Sequence, residues 1–324
     1  MSETEVDTIG SGDSRRDYFA GQGEQIGQIE VTGAPEPDEG TPGENRGFLS
    51  DSASRLCENR LVMLSAVVLV LLIAIAAFAP WVSPYDPTAQ ALSDNLQGPG
   101  AKHLLGTDEL GRDILSRIIY GTRISLSVGL ISQIIACCIG VFLGAVAGYY
   151  GGFTDTLISR TIEIFAAFPD LLFAIAIMFV LGPGVINVFI ALGLLSWTHY
   201  ARLVRGQVMQ LREMEYTQAC IVCGGSNTRI IIRHLLPNCM STIIVLVTLG
   251  IPGAILTEAS LSYIGLGVQP PTASWGQMIS TAQQYISFYP YYSVAPGLAI
   301  IVTVLAFNIF GDGLRDAIDP RLRR

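Results

Sequence analysis

The chain has 324 residues, of which 50% are hydrophobic and 14% charged, and it carries a net charge of −8. An average soluble domain is roughly 25% charged, so the composition reads as that of a membrane protein, and its acidity argues against nucleic acid as a partner. The imbalance is local: residues 1–55 hold 12 acids and 4 arginines, whereas residues 56–324 hold 15 acids and 15 basic residues.

Residues 1–55, with the stretch "TGAPEPDEGTPGENRG", are rich in Gly, Pro, Ser, Glu and Asp and poor in residues that build a core, which predicts a disordered, solvent-facing tail. Residues 56–324 then form a transmembrane domain. The first long apolar run starts only at Leu61, too far in and too long for an ordinary cleaved signal peptide.

About 20 apolar residues cross the hydrocarbon layer as a helix. Stretches without charged residues, divided where Pro and Gly cluster, predict an all-α fold with six transmembrane helices at about 61–82, 124–149, 157–181, 186–203, 240–265 and 293–311. Pro169 is expected to kink the third span.

Lys and Arg concentrate in cytoplasmic loops. Arg202, Arg205, Arg212, Arg229 and Arg233 fall in or beside the loop 204–239, and Arg315, Arg321, Arg323 and Arg324 follow the last span, whereas residues 268–292 contain no basic residue. Both termini and the loop 204–239 are therefore expected on the cytoplasmic side of a cell (inner or plasma) membrane. The external segment 84–123 dissents, because it holds Lys102, Arg112, Arg117 and Arg123. Within it "LGRDILSRIIYG" reads as an interfacial amphipathic helix with an Asp113–Arg117 pair.

Lys102 is the chain's only lysine and stands between Ala101 and His103, so no G-x-x-x-x-G-K-[ST] phosphate loop exists here. If ATP is used, another chain binds it. His103, His199 and His234 lie in separate segments with no H-E-x-x-H or G-x-S-x-G around them, and no catalytic residues are assigned.

Ionisable residues near mid-membrane are few: Arg160, Glu163, Asp170 and Glu258. Glu163 and Glu258 are candidates for lining a pathway, or else pair locally, Glu163 with Arg160 one turn away. Gly140, Gly144 and Gly148 repeat the G-x-x-x-G spacing that lets a second helix approach to backbone distance, from this chain or another.

The stretch "YTQACIVCGGSNTRIIIRHLLPN" (216–238) shows Cys220-x-x-Cys223, but the spacings to His234 and Cys239 fit no common zinc site, and no metal is assigned. "LREMEYTQACIVCG" (211–224) reads as a short helix stopped by Gly224-Gly225, after which the chain returns towards span five. A helix held out between two spans, without catalytic groups, is suited to docking.

Gln218-Ala219-Cys220-x-x-x-Gly224, then "GSNTRIIIR" and His234-Leu235-Leu236-Pro237, resemble the E-A-A-x-x-x-G loop of the permease subunits of binding-protein-dependent ABC importers. Gln218 stands where Glu is usual and Cys220 where the second Ala is. "HLLGTDELGRDILSRIIYGTRISL" (103–126), "GYYGGFTDTLISR" (148–160), "ARLVRGQV" (201–208), "ASLSYIGLGVQPPTASWG" (259–276) and "AFNIFGDGLRDAIDPRLR" (306–323) are similar to the dipeptide, oligopeptide and nickel branch.

The resemblance implies a type I importer permease fold and a cytoplasmic coupling helix, with Glu215, Tyr216, Gln218, Ala219, Cys220, Gly224, His234 and Pro237 in the ATPase-coupling loop. It further implies a heterodimer with a second permease, one or two ABC ATPase subunits that use ATP and Mg, and an extracytoplasmic solute-binding protein. This chain itself would bind no cofactor. Peptides are the first expectation for the solute, with nickel or another small solute as the alternative. Six spans alone would also fit an ion-coupled secondary transporter, and the cysteines a metal-responsive scaffold.

Overall fold

The structure, a computed structural model, describes residues 59–318 and Leu56. The predicted acidic tail and Arg321, Arg323 and Arg324 lie outside the described residues.

Regular structure among the described residues is helical, the exception being an isolated bridge between Thr107 and Asp113. Helix α1 (Arg60–Ala77) starts at Asn59, whose side chain accepts a hydrogen bond from the Leu61 N–H, and a short α2 (Ala79–Val82) continues it after Phe78. The break at Phe78 lies two residues before Pro80, which has no N–H to donate and whose ring crowds the preceding turn. Together α1 and α2 cover the predicted first span.

Helix α3 (Ile114–Tyr150) runs unbroken for 37 residues. The helix expected to lie at the interface is thus the first turns of a span. Its Asp113 is not an i,i+4 partner of Arg117; it caps α3, accepting from the Ser116 N–H at 2.8 Å and lying 2.9 Å from His103 Nδ1.

The predicted third span is two helices, α4 (Gly152–Ala166) and α5 (Asp170–Leu181), bent by 92° at Pro169. Proline removes a helix donor and clashes with the preceding turn, and here the outcome is a corner instead of a kink.

Helix α6 (Val185–Arg212) extends nine residues past the predicted fourth span. After a short α7 (Glu215–Val222), α8 (Asn227–Ile230) leads through a π turn (Ile231–Leu235) into α9 (Leu236–Tyr263). Helices α10 (Trp275–Ala282) and α11 (Pro290–Ile318) complete the chain.

Length and hydropathy single out four helices able to cross a bilayer: α1, α3, the run Asn227–Tyr263, and α11. A fifth is added if α4 and α5 form one broken span. The expected six are not reproduced on that basis, and the shortfall is α6. At about 1.5 Å per residue its 28 residues reach about 42 Å, enough to span. Its composition is too polar because the side turned away from α3 carries Ser196, His199, Arg202 and Gln210, while Gly193, Trp197, Tyr200, Ala201, Val204 and Val208 are buried on the other.

That cover is α3. A Cβ on Gly140 would lie 2.4 Å from the Trp197 carbonyl, one on Gly144 2.5 Å from the Ala201 carbonyl, and one on Gly148 2.7 Å from the Arg205 carbonyl. The close partner of the glycine stripe therefore belongs to the same chain, and the rising residue numbers show that α3 and α6 run parallel. Helix α9 packs antiparallel on the other side of α3, with Ile251 and Ile255 against Gly129 and Gly250 against Gln133.

At the end where α3 begins, residues 84–113 fold into a cap over α10 and the start of α11. Asp108 sits at its centre with no exposed surface: Oδ2 accepts from Arg112 Nε at 2.6 Å and lies 3.5 Å from Arg117 Nε, while Oδ1 accepts from the Leu110 and Arg112 N–H groups. Arg117 also donates to Gln277 Oε1 at 2.9 Å and to the Pro87 carbonyl at 3.2 Å. Arg112 reaches Glu109, which accepts from the Tyr292 hydroxyl. Lys102 pairs with Asp94. Three of the four basic residues that dissent from the charge rule are thus neutralised inside the cap.

Candidate functional site

At the opposite end, the segment expected to be a loop over 204–239 is helical for most of its length. Helix α6 stops at Arg212, and α7 leaves it at once. Two side chains of α7 reach back: the Thr217 hydroxyl donates to the Leu211 carbonyl at 2.8 Å, and the Gln218 amide donates to the Arg212 carbonyl at 2.9 Å. Both serve carbonyls in the last turn of α6, where i,i+4 helical partners run out. Thr217 is fully buried, and sequence reasoning missed it; an N-terminal hydroxyl on a short helix was the available signal.

Gln218 makes this bond through its N–H, which a glutamate cannot supply. A Gln218→Glu variant should therefore lose the bond and set a carboxylate beside the negative end of α6, a cost of about 1 kcal/mol, or roughly 2 °C in the thermal midpoint of the purified complex. A raised midpoint would show that the bond to Arg212 is not made.

Helix α7 ends in a Schellman motif. The Gly224 N–H donates to the Ile221 carbonyl and the Gly225 N–H to the Cys220 carbonyl, each at 3.0 Å, with Gly224 at φ +78°. A side chain at Gly224 would be strained at that angle.

The chain then re-enters the helical body. Leu236 N–H donates to the Ile231 carbonyl, five residues back, so the turn before Pro237 is widened. Proline cannot donate and crowds the preceding turn, and a π turn relieves this without ending the helix. The stretch expected to return towards span five is the first part of that helix. His234 lies within the π turn, with its Nε2 4.0 Å from Cys220 Sγ.

The base of the site is apolar. Ile230, Leu235, Cys239 and Ile243 pack with Ala145 and Tyr149 of α3 and Val204 and Val208 of α6, and Cys220 rests against this cluster. The Tyr149 hydroxyl donates to Asn227 Oδ1 at 2.9 Å. Arg205 of α6 grips Asp155 of α4 through two hydrogen bonds, one of 2.7 Å. Asp155, Tyr149 and Asn227 were not singled out in the sequence, and Arg205 was read only as a marker of orientation, because their pairing spans distant segments.

With its inner side fixed, α7 presents an outer side that the chain does not cover. Glu215, Tyr216 (43% exposed), Ala219 and Val222 (85% exposed) stand open, flanked by Met214 and Ile221. Pro237 is exposed nearby, and His234 is half-buried. A rigidly seated two-turn helix with an exposed aromatic and apolar side suits a protein groove.

The other sequence-predicted residues lie elsewhere. Glu163 is exposed on α4 and takes a 2.5 Å hydrogen bond from Arg160 Nη1. Glu258 is enclosed between α9 and α10, where Oε1 accepts from Ser262 and Ser274 at 2.7 and 2.9 Å, so it sits in helix packing and not on an open wall. Among the described residues, no group of three or more His, Cys, Asp or Glu side chains is placed to hold a metal ion.

Residues 140–324 match the family described as binding-protein-dependent transport system inner membrane component, and residues 47–99 match the N-terminal TM domain of oligopeptide transport permease C. The chain is 42% identical over 292 residues to the dipeptide transport system permease protein DppC of Alkalihalophilus pseudofirmus, covering 89% of this chain and 96% of that protein. It is 43% identical over 270 residues to the glutathione transport system permease protein GsiD of Pectobacterium atrosepticum (83% and 90% covered), and 42% identical over 274 residues to the oligopeptide transport system permease protein OppC of Bacillus subtilis (85% and 90% covered). Among solved structures, a chain of the MetNI methionine ABC transporter in inward-facing conformations shares the fold, with a TM-score of 0.50 at 16% identity, covering 63% of this chain and 97% of that one.

Proposed function

The chain belongs to the family of inner membrane components of binding-protein-dependent transport systems, and from that premise we infer that it is a multi-pass permease subunit importing di- or oligopeptides. The observation that carries the solute class is the likeness, across more than four fifths of the chain, to permeases of dipeptide and oligopeptide transport.

In this reading α7 is the coupling helix. A separate ABC ATPase hydrolyses ATP with Mg, and its groove receives the open side formed by Glu215, Tyr216, Ala219 and Val222. The inner side, carrying Thr217 and Cys220, passes the movement into α6 and α9. Gly224 and Pro237 fix the exit from α7 and the entry to α9. The α7 end and both termini face the cytoplasm; the cap of residues 84–113 faces outward, where a solute-binding protein delivers peptide. The burial of Arg112 and Arg117 in ion pairs removes the objection that their charge raised against this orientation. A second permease completes the pathway as a heterodimer.

The test is uptake of a labelled dipeptide into proteoliposomes holding this chain with its companion permease and ATPase subunits, with the solute-binding protein added. Accumulation is expected only with ATP and the binding protein both present. Uptake driven by an ion gradient in vesicles holding this chain alone would overturn the reading.

A further inference from the structure

A helix long enough to cross a bilayer cannot turn a polar face to lipid without a cost of several kcal/mol for each unsatisfied group. Helix α6 has such a face. Opposite the side packed on α3, Ser196, His199, Arg202, Gly206 and Gln210 follow one another at three- or four-residue steps, the spacing of one side of a helix. His199, Arg202 and Gln210 are exposed, and none of the other described helices covers them.

Two cavities adjoin along this face. The first, of about 310 Å³, is bounded by α5, α6 and α9 and is lined by Asp170, Ser196, His199 and Thr257. The second, of about 420 Å³, shares His199 and continues past Arg202 to Gln210.

The first cavity lies midway along the spans. Its floor is Gln133, halfway along α3, whose Oε1 accepts from the Tyr200 hydroxyl at 2.7 Å and packs against Gly250. The acid at this level is Asp170, placed there by the right-angled corner at Pro169. Of the other two mid-membrane acids, Glu163 is paired with Arg160, and Glu258 is enclosed between α9 and α10 away from both cavities, its Oε1 accepting from two serines and its Oε2 without a partner. Asp170 has no ion-pair partner among the described residues.

We propose that Asp170 and His199 form a solute-contact site in the membrane pathway, at which the Asp170 carboxylate receives the cationic ammonium end of a peptide. Arg202, one turn further along α6 in the adjoining cavity, meets the anionic end as the solute moves on. The site deepens the peptide-import reading and rests on it. An ion in the membrane interior is favourable only with a partner, so a zwitterionic solute crossing there needs a fixed carboxylate and a fixed cation.

The experiment uses the reconstituted complex with ATP and its binding protein, comparing wild type with Asp170→Asn and Asp170→Glu. Asparagine keeps the size of the side chain, and Asp170 makes no capping hydrogen bond at the start of α5, so the substitution removes only the charge. Asp170→Asn should lower dipeptide uptake about tenfold or more, the loss of one hydrogen bond to a charged group. Binding-protein-stimulated ATP hydrolysis should stay within about twofold, and Asp170→Glu should restore uptake. Unchanged uptake in Asp170→Asn overturns the proposal, as does loss of uptake together with ATPase activity or with the companion permease, either of which marks a packing role. Failure of the wild type itself to accumulate dipeptide with ATP refutes the parent reading instead.

Discussion

Deleting residues 213–224 is expected to abolish ATP-driven uptake and to release the ATPase subunits during purification, while the remaining chain still enters the membrane. The expectation follows from how the segment is held. Helix α7 is held to the body through Thr217, Gln218 and Cys220, and it offers Tyr216, Ala219 and Val222 outward. The parallel seam between α3 and α6 and the packing of α9 on α3 do not involve it. Removing α7 therefore removes an interface without removing a core. Interface energy concentrates in a few central aromatic and apolar side chains, and losing such a cluster weakens association by roughly a hundredfold or more. Co-purification and uptake report the two consequences separately, and ATPase chains that still co-purify with a working transporter would rule out docking through α7. A milder change, Gly224→Val, should give partial loss, since a β-branched residue at φ +78° strains the end of α7 by about 1–2 kcal/mol and tilts its open side.

Local chemistry made much of this region readable in the sequence. Gly224-Gly225 announced the helix stop, and the structure shows the two hydrogen bonds that require it. The x-x-x spacing of Gly140, Gly144 and Gly148 announced a close helix neighbour, although only the fold could say that α6 supplies it. Charge-free length placed the fourth span at 186–203, but neither its extension to Arg212 nor an environment of protein in place of lipid was legible there. Helix α6 failed the apolar test because, with one face sealed by α3, the other is lined by His199 and Arg202. Pro169 was read as a kink because sequence gives the site of a break but not its angle, which depends on what α5 packs against.

The cap shows the same limit in its electrostatics. Arg112 and Arg117 counted against the outward orientation while they were treated as free charges; Arg112 is paired within its own segment by Asp108 and Glu109, whereas Arg117 reaches back to Asp108 and, 160 residues away, to Gln277. The i,i+4 spacing suggested Asp113 for Arg117, but Asp113 is committed to the α3 N-terminus and His103. Spacing on a helix proposes pairs; competition for the same carboxylate among capping, a ring nitrogen and a guanidinium decides them.

That competition makes Asp108 the most sensitive residue of the cap. Among the described residues it is the one acid within reach of both buried guanidiniums, and Arg112 and Arg117 are 3% and 1% exposed. Asp108→Ala would leave two cations facing each other without their shared counter-charge, and breaking a buried pair on one side costs roughly 3–5 kcal/mol. The thermal midpoint of the purified complex should fall by about 10 °C, with exposure of Trp275, which packs beneath the cap on α3, following the same transition. Replacing a cation as well discriminates charge from packing. Asp108→Ala combined with Arg117→Met removes the guanidinium that has no other acid partner among the described residues and should recover about half of the loss, a non-additivity expected of residues in one network. If the double variant is less stable than Asp108→Ala alone, the cap is held by the backbone hydrogen bonds of the 108–112 turn and not by its ion pairs. In that case the tolerance of the cap for buried arginines would need another cause, since among the described residues Asp108 alone pairs with both guanidiniums.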